Sequence, residues 1–197
     1  PDDSPESRAL VNEVETNARV LLAMINNVLD AAKLEAGTLS LAQDEFDVYD
    51  LAGQVKATMG PLAKKKDVSF KVKVSPDTPL LLGDEEVLRR IVVNLVNNAL
   101  RFTDSGGWVE LQLAYREGRF VICVCDNGCG IPAEQLDHVF DRFVSAPHSE
   151  TTSEGGTGLG LSIVRNFSTM MGGNVSVKSL EGEGSCFTVE LPLPAIP

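Results

Sequence analysis

Between residues 6 and 36 the apolar positions Leu10, Val14, Leu21, Ile25, Val28, Leu29 and Ala32 recur at threes and fours. That spacing draws one wide stripe along a helix. Ser4 as N-cap, Pro5 at the first helical position and Gly37 beyond the end predict where the helix starts and stops. A single helix of this length cannot cover its own stripe, so a partner helix is expected, in a second copy of the chain or elsewhere. The same period predicts further helices over 47–66 (Val48, Leu51, Val55, Met59, Leu62), over 84–102 and over 159–171. Lys64, Lys65 and Lys66 close the 47–66 helix at the negative end of its dipole. Residues 68–74, VSFKVKV, alternate apolar and polar, the period of a half-buried strand. Strands are also predicted at 108–115 and 119–126, joined by Glu117-Gly118, and at 174–179 and 185–191, joined by Glu181 to Gly184. The stretch 127–157 reads as loop. Helices and strands are segregated rather than strictly alternating, which predicts an α+β fold, a two-layer sandwich with helices on one face of a mixed sheet.

Composition narrows the class. Apolar residues make up 43% of 197, enough for a packed core. The formal charge of −11 argues against nucleic acid as a partner, because phosphate contacts need clustered Lys and Arg. Residues 1–50 carry 11 acids and 3 bases (−8), whereas residues 51–197 carry 17 and 14 (−3), so the first fifty residues are a different kind of segment. No apolar run approaches the roughly 18 residues of a membrane span, and no signal peptide opens the chain, so membrane contact is not expected. The opening Pro1 predicts an excerpt of something longer. Cys123, Cys125, Cys129 and Cys186 form no C-x-x-C pair and have no His pair as partner. They are expected to be buried small hydrophobes in a reducing cytoplasm, with zinc or a disulfide as the lesser alternative.

Three motifs suggest chemistry. On the 84–102 helix, Leu88, Val92, Leu95, Ala99 and Phe102 form the core stripe. Arg90, Asn94, Asn98 and Arg101 gather on another side, within about 80° at 100° per residue. Asn is a poor helix former, so two of them one turn apart on one face need a reason. The bland reading is a solvated face. The functional one is a ligand face, where amide oxygens suit Mg²⁺ and Arg suits phosphate. The second motif, Asp126-Asn127-Gly128-Cys129-Gly130, follows an apolar strand. A carboxylate at the end of a buried strand is costly unless satisfied, and a purine exocyclic amine would satisfy it; the alternative is an ordinary turn. The third motif, Gly155-Gly156-Thr157-Gly158-Leu159-Gly160-Leu161, feeds a helix N-terminus, where free N–H groups and the positive dipole end suit an anion. It fits neither the P-loop nor the dinucleotide fingerprint.

In this order and spacing the motifs resemble those of the ATP-binding catalytic domain of sensor histidine kinases. Those domains belong to the Bergerat-fold superfamily shared with gyrase, MutL and heat-shock chaperone ATPases. Asn94-Leu95-x-x-Asn98-Ala99-x-Arg101-Phe102-Thr103 resembles the family's N box, and Asp126-x-Gly128-x-Gly130 its G1 box. Phe140-x-x-Phe143 is similar to the F box, and Gly156-Thr157-Gly158-Leu159-Gly160-Leu161 to the G2 box. The segment Ile25 to Asp30 with Lys33 to Gly37 resembles the end of a second dimerisation helix in hybrid kinases. The resemblance implies a dimerisation helix and connector over 1–40 and a Bergerat ATP-binding domain over 41–197. It implies ATP and Mg²⁺ as cofactors: Asp126 accepts the adenine amine, Gly128 and Gly130 shape that pocket, and Asn98 holds Mg²⁺ with Asn94 assisting. Arg101 stands where the family usually has Lys and neutralises phosphate. Gly156, Gly158 and Gly160 hinge a lid across residues 141–160 and cradle the phosphates, with Thr157 and Leu159 also binding nucleotide. Asn94 occupies the place where ATP-hydrolysing relatives carry Glu, and an amide is no general base, so phosphotransfer is expected rather than fast hydrolysis.

The family's acceptor motif, His-Glu/Asp-x-x-x-Pro, is absent from the sequence, and His138 and His148 read as surface and lid residues. The main expectation is therefore a histidine kinase catalytic domain that phosphorylates a His outside this chain, in a two-component phosphorelay. The alternative is a regulatory module that modulates a partner kinase through its helix. Expected partners are ATP, a dimerisation helix of its own or another kinase, and a response regulator. The expected location is the cytoplasm, with a membrane-anchored parent.

Overall fold

The computed structural model describes residues 40–141, 144 and 158–196. The helix predicted at 6–36, the 1–40 segment, Phe143, His148, Gly156 and Thr157 therefore lie outside the described residues, apart from Ser40.

The chain enters through β1 (Asp44–Phe46), which pairs antiparallel with β3 (Leu81–Gly83). Between them run α1 (Val48–Lys65) and β2 (Ser69–Val74). Asp47 caps α1 by accepting from the Tyr49 N–H, and the helix turns Val48, Leu51, Ala52, Val55, Met59 and Ala63 inward. Helix α2 (Glu85–Phe102) starts at Asp84, whose carboxylate accepts from the Val87 N–H and, on its other oxygen, from the Ala42 N–H. Its buried side is wider than the predicted stripe: Val87, Ile91, Val96 and Leu100 join Leu88, Val92, Leu95 and Ala99.

Strands β4 (Trp108–Arg116) and β5 (Arg119–Asp126) form a hairpin through Glu117 and Gly118, both at positive φ, the two-residue geometry that matches sheet twist. Helix α3 (Gly160–Met170) precedes the last hairpin, β6 (Asn174–Leu180) and β7 (Gly184–Leu191). The main sheet has the order β2-β4-β5-β7-β6, with β2–β4 parallel and the other pairs antiparallel. This is the mixed sheet expected from the segregated elements. One face packs on the helices through Val109, Leu111, Leu113, Phe120, Ile122, Val124, Phe187 and Val189, all buried. The opposite face is polar and half-exposed.

Three elements escaped the sequence pattern. Strands β1 and β3 are three residues each, too short to show a period, and a 3-10 helix (Ala133–His138) sits inside the stretch read as loop. The cysteine expectation also changes. Cys123, Cys125 and Cys186 alternate with the core positions Ile122, Val124 and Phe187, so they face the outer side of the sheet, half-buried. Cys125 and Cys186, opposite each other across β5 and β7, are joined by a disulfide. The apolar run FVICVC hid this, because only alternate residues of a strand share a face. Among the described residues, no helix is long and apolar enough to cross a membrane.

Candidate functional site

The site is built where the C-terminal half of α2, the turn after β5, the β6–β7 turn and the start of α3 meet. Asp126 closes β5 and is only 7% exposed. Its Oδ1 accepts from the Gly128 N–H at 2.9 Å and the Ser185 N–H at 3.3 Å. Among the described residues both of its hydrogen bonds fall on Oδ1, which leaves Oδ2 for a donor from outside. Burial pushes the carboxyl above the usual carboxylate range, opposed by those two N–H groups. Burial, and secondarily the Asp126 charge, also push the Cys129 thiol up.

The glycines of this turn are there for close approach. A Cβ on Gly128 would run into the Phe102 carbonyl at the end of α2. One on Gly130, which adopts φ +68°, would run into the Leu180 carbonyl. The Cys129 N–H donates to Phe102 O, and the Gly182 N–H donates to Cys129 O at 2.7 Å. The turn is thus clamped between the end of α2 and the β6–β7 turn. Asn127 points away from this clamp and accepts from the Trp108 N–H at 2.6 Å.

Helix α2 presents the predicted polar side. Asn94 and Asn98 are half-buried. The Asn94 amide nitrogen donates to Arg90 O at 2.8 Å, and this fixes which way the side chain turns. Its Oδ1 faces Gly160, where an added Cβ would lie 3.1 Å away. Arg101 lies over the Phe102 ring at 5.2 Å, and its Nε is buried with no hydrogen-bond partner. The end of α2 is held by the Lys66 ammonium, which donates to Leu100 O at 2.6 Å and Arg101 O at 3.1 Å. Buried Thr103 donates to Ala99 O at 2.7 Å. The Arg90 guanidinium stacks on the Phe167 ring of the following helix at 5.0 Å.

Helix α3 begins at this place. Gly158 has φ +64°, Leu159 is buried, and the first turn has no side-chain cap. This helix start, beside the Asn94 amide, is the kind of place where backbone N–H groups and the positive dipole end suit an anion. Of the predicted site residues, Asn94 adjoins Gly160 across α2 and α3, and Gly128 joins Asp126 to the Phe102 end of α2, next to Arg101, while Gly156 and Thr157 lie outside the described residues. Phe140 packs edge-on against Phe187 at 6.1 Å. His138 pairs with Asp141 at 3.0 Å on the surface. Ser185 and Lys66 were missed. Each acts through a backbone group or from another element, and no local pattern marks them.

This arrangement offers a buried carboxylate oxygen, two amide oxygens, a guanidinium and an uncapped helix start. It suits a ligand with an amine at one end and an anion at the other. Residues 83–195 match the family described as histidine kinase-, DNA gyrase B- and HSP90-like ATPase. The chain is 37% identical to hybrid signal transduction histidine kinase D of Dictyostelium discoideum, over 91% of this chain and 12% of that protein. It is also 37% identical to sensor protein GacS of Pseudomonas syringae pv. syringae, over 97% of this chain and 22% of that protein. The chain thus spans less than a quarter of either curated relative. Among solved structures it is similar to full-length ShkA in complex with AMPPNP, with TM-score 0.84 and 33% identity over 98% of this chain and 40% of that one.

Proposed function

The chain belongs to the histidine kinase-, DNA gyrase B- and HSP90-like ATPase family, and from that premise we propose that it is the ATP·Mg²⁺-binding catalytic domain of a two-component sensor histidine kinase. The observation that carries this reading is Asp126: a buried carboxylate with Oδ1 doubly occupied and Oδ2 left for a donor. The adenine amine is that donor, and the close approach allowed by Gly128 and Gly130 admits the ring. Asn98 and Asn94 offer hard amide oxygens to Mg²⁺, which neutralises phosphate charge when bound. The Arg101 guanidinium, whose Nε makes no hydrogen bond, neutralises phosphate charge. The start of α3, with Gly156, Thr157, Gly158, Leu159 and Gly160, cradles the phosphates.

Asn94 does not take a proton from water, so the bound nucleotide is kept for transfer rather than hydrolysis. The γ-phosphoryl passes to an imidazole nitrogen of an acceptor His outside this chain, and ADP leaves. Residues 1–40 are the partial dimerisation helix and connector, and 41–197 are the catalytic domain. A response regulator is the downstream partner, and the cytoplasm is the location, where ATP is available.

The test is phosphotransfer from labelled ATP to a separately supplied dimerisation domain bearing its His. Acid-labile label on that domain is the expected outcome. No nucleotide binding at millimolar ATP would refute the reading. Nucleotide binding without transfer to any dimerisation domain would move the assignment to a regulatory module.

A further inference from the structure

The outer face of the sheet carries a feature the nucleotide site does not use. Cys123 and Cys125 stand two apart on β5 and so share a face, and Cys186 is the direct partner of Cys125 on β7. The Cys123 sulfur lies 3.6 Å from that of Cys125 and 3.3 Å from that of Cys186. All three sulfurs fall within 4.8 Å of one another. They sit near the middle of a five-stranded sheet, the position least able to drift. We propose that Cys123, Cys125 and Cys186 form a binding site for one thiophilic d¹⁰ metal ion once the Cys125–Cys186 bond is reduced.

Geometry and softness both favour this. Metal–sulfur bonds of about 2.3 Å around one ion set three sulfurs roughly 4 Å apart, the spacing these side chains already approach. The ligand set is sulfur alone, which selects zinc-group ions and Cu(I) over Mg²⁺ or Ca²⁺. All three residues are half-buried, so the ion has access from solvent and one coordination position stays open outward. Thr188, beside them on β7, has its Oγ1 3.8 Å from the Cys123 sulfur and steadies that rotamer. The charge balance is workable as well. Lys178 stands opposite Cys186 across β6 and β7. Glu110 stands opposite Cys125 and is already held by Lys73 at 2.6 Å. Three thiolates on a divalent ion leave one negative charge, which Lys178 faces.

The chemistry closes without a hidden reagent. A thiol or phosphine reductant supplies two electrons, and the Cys125–Cys186 bond becomes two thiols with two protons taken up. The ion then displaces thiol protons to solvent as three metal–sulfur bonds form. The disulfide form has at most one free sulfur in the cluster and does not bind. This differs from a structural zinc site, because the sheet is complete without the ion.

The experiment uses the full chain, reduced and separated from reductant under anaerobic conditions, without nucleotide. Cd²⁺ alone is the probe, read by its ultraviolet sulfur-to-metal charge-transfer band, with Zn²⁺ and Cu(I) in competition arms that identify the preferred ion. One equivalent of Cd²⁺ is expected to bind with three thiolates. C123S is expected to weaken binding at least ten-fold, and the oxidised chain to show no band. Equal binding by C123S, or by a variant with Ser at all three positions, would overturn the proposal. Should C123S fail to fold, the wild-type chain decides by alkylation and mass spectrometry. Cd²⁺ is expected to protect Cys123, Cys125 and Cys186 and leave Cys129 reactive; no protection overturns the site. The readout is the metal, so the outcome is independent of the nucleotide reading.

Discussion

Replacing Asp126 by Asn tests the nucleotide site most directly, because it changes one atom's chemistry and almost no volume. Asn keeps an oxygen that can accept from the Gly128 and Ser185 N–H groups. The change falls on Oδ2, which becomes an NH₂ group that meets the adenine amine donor to donor. What is lost is one hydrogen bond to a charged acceptor in a buried position, about 1.5–3 kcal/mol. At about 1.4 kcal/mol per decade, the dissociation constant for Mg·ATP rises roughly 10- to 150-fold. Folding should survive. The wild-type carboxylate is buried and its pKa is raised, so neutralising it removes a desolvation cost. Calorimetry gives the affinity and thermal unfolding gives the fold. The same titrations with an inosine nucleotide, which carries an oxygen in place of the amine, sharpen the test. D126N should bind it relatively better, since its NH₂ can donate to that oxygen. Unchanged ATP affinity, or an unchanged ratio of ATP to inosine nucleotide, would remove Asp126 from the base-reading role.

Three further outcomes are expected. Because the folded-state pKa of Asp126 is raised, the stability it contributes is full below its unfolded pKa and is lost as pH rises through the folded value. D126N should therefore gain thermal stability relative to wild type across that window, while wild-type ATP affinity falls as acid protonates Oδ2 above the normal carboxylate range; pH-dependent thermal scans and titrations check both. Gly130→Ala places a Cβ against the Leu180 carbonyl at φ +68° and should cost at least about 1 kcal/mol, seen as a lowered Tm with weakened nucleotide binding. Arg101→Gln should weaken ATP by about 1.5–3 kcal/mol and leave adenosine unchanged, because only the triphosphate meets the guanidinium; an equal loss for adenosine would contradict that placement.

Much of this molecule is written locally. Helix α2 follows from the threes and fours of its apolar residues and from Asp84 as cap, and the sheet strands from their alternation. Glu117-Gly118 announced its hairpin because both central positions of that turn need positive φ. Asn94, Asn98 and Arg101 could be placed on one side of α2 from their spacing alone, since a helix fixes the angle between residues. Asp126, Gly128 and Gly130 were legible as an Asp in a glycine turn, but not as a clamp.

The rest needed the chain to close on itself. The clamp depends on the Phe102 carbonyl from α2 and the Leu180 carbonyl at the end of β6, atoms far away in sequence. The choice of Oδ2 as the free oxygen of Asp126 depends on Ser185, a residue 59 positions downstream. The stacking of Arg90 on Phe167 of α3 joins two helices, a contact that no single-helix wheel contains. Cys123 and Cys125 look like core residues in the string FVICVC. Pairing of β5 with β7 sets Cys186 opposite Cys125, on the face turned away from the helices. Sequence determined the elements because their periods are local. Tertiary structure decided the site and the sulfur cluster, because both are made of groups from different strands and helices whose register is fixed only when the sheet forms.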